Sequence, residues 1–149
     1  MRDAATGKEL LSIPRRDDAA IWFATFNPDG RTLATAAAKT AYLHDAVTGR
    51  EIRAFKGHEE EIQHGAFSTT GALLVTTSKD KTARVWDVAT GTELLTLKHT
   101  GIPWATFTPD GRKVLTSSGE GARLWPVDPL PTAIGRLPRN LSEAERERF

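Results

Sequence analysis

Apolar residues in this chain fall in short runs of about six, each closed by a polar turn, and helical periodicity is missing until the last residues. The run Ile21-Trp-Phe-Ala-Thr-Phe26 ends in Asn27-Pro-Asp-Gly30. Ile62-Gln-His-Gly-Ala-Phe67 ends in Ser68-Thr-Thr-Gly71, and Ile102-Pro-Trp-Ala-Thr-Phe107 in Thr108-Pro-Asp-Gly111. Proline presets the backbone at the second position of such a turn and glycine accepts positive φ at the last, so each predicts a hairpin. A second strand follows, rich in small and β-branched residues: Thr32–Ala38, Ala72–Ser78 and Lys113–Ser118. The third is Thr40–Asp45, Thr82–Asp87 or Gly121–Trp125. The fourth, after a Thr-Gly turn, is Arg50–Phe55 or Thr92–Leu97, with a like segment at Lys8–Ile13.

These signals repeat with a fixed period. Asp3-Ala-Ala-Thr-Gly-Lys-Glu-Leu-Leu returns at Asp45 and again at Asp87, a spacing of 42 residues from 3 to 45 and from 45 to 87. Four short strands per period of about 40–45 residues are the mark of β-propeller blades, sheets that bury both faces against their neighbours. The predicted class is all-β: three four-stranded antiparallel blades in units of about 19–56, 60–98 and 101–127, with a displaced outer strand at 8–13. A proline-rich connector and tail occupy 128–149. Ser142 and Glu145 form a capping box there, which predicts a short helix from Glu143.

Trp86-Asp87, Gly57-His58 before the first strand and the Ser-Lys-Asp80-Lys-Thr turn resemble the WD-repeat (WD40-type) propeller family over residues 1–127. The resemblance implies a structural hydrogen-bond series of His58, Ser78 (or Thr76), Asp80 and Trp86 in the middle unit. Its neighbours depart from it. His44 stands where Trp86 would fall, Asp17 lies near the place of His58, and Gly119-Glu-Gly121 replaces the Asp turn of the third unit. The family's narrower rim binds proteins and peptides, which makes Trp22, Gln63, Lys79 and Pro103 candidate partner contacts. An exposed tryptophan there is a hot-spot anchor; the competing reading packs Trp22 on the next blade. Glu59, Glu60 and Glu61 form either an acidic lip or an ordinary solvated run. The ending Leu141-Ser-Glu-Ala-Glu-Arg146 resembles tails of large bacterial signalling proteins that carry C-terminal WD repeats.

Composition narrows the chemistry. With 20 Lys and Arg against 19 Asp and Glu, the net charge of +1 offers no basic stripe for nucleic acid. No apolar run reaches the roughly 20 residues of a membrane span. Cysteine is absent, which fits a reducing compartment such as the cytoplasm. The four histidines lack metal-ligand spacing, and the glycines lie in turns rather than in a phosphate loop. A triad of His58, Ser78 and Asp80 has no nucleophile elbow or oxyanion hole beside it. The sequence therefore points to a non-enzymatic, cofactor-free scaffold for a protein or peptide partner, the docking or sensing part of a cytoplasmic bacterial signalling protein. A self-assembling ring is the alternative, and a propeller-based hydrolase a weaker one.

Strand arithmetic adds a geometric problem. One orphan fourth strand, three sets of first to third strands and two fourth strands make three blades, whereas propellers close with four to eight. Further blades on a longer parent chain, closure by two or three identical chains, and a free arc with exposed edges all satisfy that count.

Overall fold

A computed structural model of the chain describes residues 5, 7–14 and 18–127. The helix expected from Glu143, and Asp17, lie outside the described residues. Among the described residues eleven strands run in chain order: β1 Ile21–Phe26, β2 Thr32–Ala37, β3 Thr40–Asp45, β4 Glu51–Lys56, β5 Ile62–Phe67, β6 Leu73–Ser78, β7 Thr82–Asp87, β8 Glu93–Lys98, β9 Trp104–Phe107, β10 Lys113–Ser118 and β11 Gly121–Pro126. They form three antiparallel meanders, β1-β2-β3-β4, β5-β6-β7-β8 and β9-β10-β11.

The turns close as their residues dictate. Gly30, Gly71 and Gly111 each donate N–H to the carbonyl three residues back, on Asn27, Ser68 and Thr108. At the Thr-Gly turns the aspartate ending the third strand caps the connection to the fourth. Asp45 Oδ1 accepts from the N–H groups of Val47 and Thr48, both at 2.8 Å, and Asp87 Oδ1 from Thr90 N–H at 3.0 Å. Those backbone bonds hold the exposed Asp45 carboxyl below its usual range.

The sheets stack in sequence order. Between the first and second lie Ala34, Ala41, Leu43 and Phe55 from one side and Ile62, Leu74 and Trp86 from the other. The next layer sets Leu73, Val75, Val85 and Leu97 against Ala105, Phe107, Val114 and Val127. The alanines of β2 leave room for the close approach of the neighbouring sheet. Asn27 Nδ2–H also crosses between blades, donating to Gly71 O at 3.1 Å; a Cβ at Gly71, whose φ is +77°, would lie 2.0 Å from Asn27 Oδ1.

Burial records how many faces each sheet has covered. All six residues of β6 are buried, because neighbours lie on both sides. In β10, the same strand of the third sheet, buried Val114 and Thr116 alternate with exposed Lys113, Leu115 and Ser117. The three sheets are compatible with consecutive propeller blades, and among the described residues they do not close a ring.

Two expectations are corrected. The third sheet has three strands, not four. Lys8–Ile13 forms no strand among the described residues, in which a bridge falls at Glu9. The expected partner edge, that of β11 in the third sheet, lies at the other end of the stack.

Candidate functional site

The middle blade holds a continuous polar series inside its core. Trp86 Nε1–H donates to Thr76 Oγ1 at 2.8 Å, and Thr76 Oγ1 lies 2.7 Å from His58 Nε2. His58 Nδ1 is 2.9 Å from Asp80 Oδ2, which also accepts the Glu59 N–H at 2.9 Å. Asp80 Oδ1 accepts from Thr82 N–H and Thr82 Oγ1–H. The donors and acceptors fit one tautomer: Nδ1–H donates to the carboxylate while Nε2 accepts from the threonine hydroxyl. Thr76, not Ser78, is thus the hub. Ser78 Oγ donates to Glu60 O at 2.9 Å and accepts Asp80 N–H, so it secures the turn. His58 and Ser78 are not bonded to each other, and the hydrolase-like triad is not assembled.

Burial pushes the His58 pKa down, against the pull of Asp80, and keeps the ring neutral at neutral pH. For Asp80 burial opposes ionisation, but the Thr82, Glu59 and His58 hydrogen bonds outweigh it and bring the pKa from 3.8 to about 2. Both shifts act in one direction. An unfolded imidazole takes up a proton near pH 6.5 while folded His58 does not, so stability is full above that value and declines as pH falls through it. Burial depresses His64 and His99 as well and adds to this decline. Asp80 contributes a second loss between about pH 4 and 2, roughly 1–2 kcal/mol after solvent screening. Thermal melts at about pH 7.5, 5.5 and 3 should show two successive drops in Tm; equal values at the first two would contradict a neutral buried His58.

The flanking blades carry partial versions of the series. In the first, His44 Nε2 meets Thr35 Oγ1 at 3.0 Å, an imidazole in the place of the indole. The third keeps Trp125 Nε1–H on Thr116 Oγ1 at 2.8 Å. There His99 packs edge-on to Trp125, as His58 does to Trp86, but neither of its ring nitrogens has a hydrogen-bond partner. The β10–β11 turn is one residue shorter than β6–β7, and its Glu120 pairs with Arg123 at 3.2 Å.

At the rim, β1 and β5 each carry a bulge, between Ile21 and Phe23 and between Ile62 and His64. A bulge frees one residue from the ladder and re-aims its side chain; here those residues are Trp22 and Gln63. Trp22 is 49% exposed. Lys79 Nζ sits 5.8 Å from the Trp22 ring centroid and 2.5 Å from a Glu61 carboxylate oxygen. Lys79, then a hydrogen bond from Trp22, hold the Glu61 carboxyl below its usual range. Trp22, Glu61 and Lys79 therefore form one cluster across the first two blades. Gln63 is half-buried, with its Nε2 buried and unpartnered.

Pro103 departs from expectation: it is buried. Lacking an N–H it cannot enter the ladder, and β9 starts at the next residue. The exposed aromatic is instead Trp104, which stacks on His64 with centroids 3.5 Å apart and planes at 23°. The proline itself was the signal that could have shifted the choice to Trp104. Among the described residues no three His, Asp or Glu side chains gather into a metal-binding group, and no helix is long and apolar enough to cross a membrane.

No curated protein matches the chain. A family model, WD domain, G-beta repeat (WD40), matches residues 49–87. That stretch begins at the turn before β4, runs through the bonded His58–Thr76–Trp86 series and ends on Trp86-Asp87. Repeats of this kind are typically non-catalytic and generally mediate protein–protein interaction. The match covers 39 of the 149 residues and falls on the blade whose polar series is complete.

Proposed function

We propose that the chain is a non-enzymatic docking module whose blades, in units of about 19–56, 60–98 and 101–127, present a rim to a protein or peptide partner. The observation that carries this reading is the Trp22–Glu61–Lys79 cluster. A large aromatic is held half-exposed on rigid strands, with a cation over its ring and its indole N–H bonded to a carboxylate. Preorganised, partly exposed tryptophans lose little entropy on binding and are frequent hot spots. Gln63 extends the same rim, and Trp104 takes the part that Pro103 does not play. His58, Thr76, Asp80 and Trp86 serve to hold the blade that carries this surface. The resemblance of the tail from Leu141 supports placing the module in a cytoplasmic bacterial signalling protein.

Panning a random peptide library against the chain tests the rim. Selected peptides should lose at least about 30-fold in affinity on Trp22→Ala, the factor that corresponds to a 2 kcal/mol hot spot. Val47→Ala, exposed but remote from the cluster, should leave binding intact, and the Tm of the Trp22 variant should stay close to that of the parent. Peptides that bind Trp22→Ala as tightly as the parent would remove the rim from consideration. A large Tm loss would assign Trp22 to packing.

A further inference from the structure

Trp22, Glu61 and Lys79 meet where the first two blades join, and the repeat does not require them to. Aligning Ile21–Phe26, Ile62–Phe67 and residues 102–107 puts Gln63 in the place of Trp22 at the next junction. Gly101 stands there for Glu61 and, with Ser118 in the place of Ser78, Gly119 for Lys79. Ring, carboxylate and cation are all replaced, yet the second and third sheets pack through a core of their own. The cluster is an addition to the blade rather than part of its construction.

Its parts differ in how firmly they are held. Ile62 N–H donates to Ala38 O at 2.8 Å across the two blades, and Ser78 Oγ–H donates to Glu60 O at 2.9 Å. Lys79 N–H donates to Glu61 O at 2.9 Å. These bonds fix the backbone that carries Glu61 against both sheets, and the bulge of β1 sets Trp22 beside it. The Lys79 ammonium is held more weakly. Its side chain is 43% exposed and rests on the Trp22 ring and on a Glu61 carboxylate that is itself 35% exposed. Exposed contacts of either kind are each worth at most about fivefold in an equilibrium constant.

The surroundings select the sign of what can replace it. The face of an indole and a carboxylate both attract a cation. Glu60 precedes Glu61 on the same loop, exposed and paired with no cation among the described residues. The other cation of the β6–β7 turn, Lys81, lines a cleft with Glu59, Lys98 and His99. An anion approaching Trp22 would meet two adjacent carboxylates and the negative face of the ring.

We propose that this rim takes a basic side chain of the partner and that Lys79 is its stand-in within the chain. The inference rests on the docking role proposed above and names the chemistry that the rim selects. A partner arginine lies flat on the Trp22 indole, donates N–H to Glu61 and displaces the Lys79 ammonium into water. Arginine suits the place better than lysine, because its planar guanidinium stacks on a ring while its fork of N–H groups reaches a carboxylate. The indole N–H, bonded to Glu61, holds that carboxylate in position.

The test uses the full chain and the peptides that panning selects by their dependence on Trp22. Each should carry an arginine or a lysine, and its replacement by citrulline or norleucine should weaken binding at least about tenfold. Glu61→Gln keeps an acceptor for the indole but removes the charge, and should weaken binding by a similar factor. Lys79→Met should act in the opposite direction, tightening binding about two- to fivefold, because it removes the competitor and keeps the stem. Both variants should melt close to the parent. Ac-Gly-Arg-Gly-NH2 at millimolar concentration is an independent probe. It should shift the Trp22 indole N–H resonance, identified by its loss in Trp22→Phe, and the citrulline tripeptide should not. Trp22-dependent peptides that bind equally well after the citrulline or norleucine replacement would overturn the basic side chain and leave the rim standing. Weaker binding on Lys79→Met would make Lys79 a contact of the partner rather than its stand-in. Peptides indifferent to Trp22→Ala would remove the rim, and this subsite with it.

Discussion

Thr76→Val should cost about 3 kcal/mol of unfolding free energy, read as a fall in the urea midpoint at constant slope. Valine keeps the shape of threonine and removes the hydroxyl that two buried groups share. Trp86 Nε1–H loses its acceptor and His58 Nε2 loses its donor. Thr76 is fully buried, Trp86 is 1% exposed and His58 6%, so water cannot replace the missing partner. An orphaned buried donor or acceptor costs about 1–3 kcal/mol, and here there are two. Thr116→Val provides the internal comparison. Only Trp125 depends on that hydroxyl, because His99 is not bonded to it, so the loss should be about half as large. Equal losses at both sites would show that the hydroxyl acts alone rather than as the link of a series.

A second large loss is expected on truncating Phe55. This residue lies next to the end of the first blade's fourth strand, is fully buried and packs on Trp86 with ring centroids 5.8 Å apart. It wedges one sheet against the next. Phe55→Ala leaves a cavity between two rigid sheets that cannot collapse into it, and should cost about 3–5 kcal/mol. For a stack whose sheets touch only their neighbours, that amount is a large part of the coupling between first and second blades. Hydrogen exchange should therefore rise across β1–β4 more than across β5–β8. Ile52→Ala on the same strand, at a side chain 44% exposed, should change stability by less than about 0.5 kcal/mol. If the two substitutions cost the same, Phe55 is not the wedge.

The strands were legible because each boundary is chemical: Pro-Asp-Gly, Ser-Thr-Thr-Gly and Thr-Gly specify turns, and what lies between them must extend. Less was legible where two candidates share a property. Thr76 and Ser78 sit two apart on one strand and point to the same face, so alternation cannot choose between them. The pairing of Thr76 with Arg84 and Leu74 with Trp86 decides, by setting the Thr76 hydroxyl beside the indole. At the rim, reading by the period alone placed Pro103 beside Trp22 and Gln63. Proline's missing N–H shifts the start of the ladder, and a period cannot report that. The meeting of Trp22 with Glu61 and Lys79 spans two blades, and nothing local in the sequence encodes it. Residues 9–13 carried the pattern of a fourth strand, but a ladder belongs to two edges and their sequence specifies one.

The stretch that matches the family model and the folded sheet are out of phase: residues 49–87 begin with the last strand of one blade and continue with three strands of the next. Excision of residues 46–87, one whole period, joins Asp45 directly to Val88. Its Thr90-Gly91 turn then leads β3 into β8 in place of β4. Every remaining strand keeps a neighbour of the right kind, and no new loop has to be invented. Unequal recombination between copies of such a segment therefore lengthens or shortens the array in complete structural steps. The offset makes blade number an easily inherited variable, while the local chemistry of each blade stays unchanged.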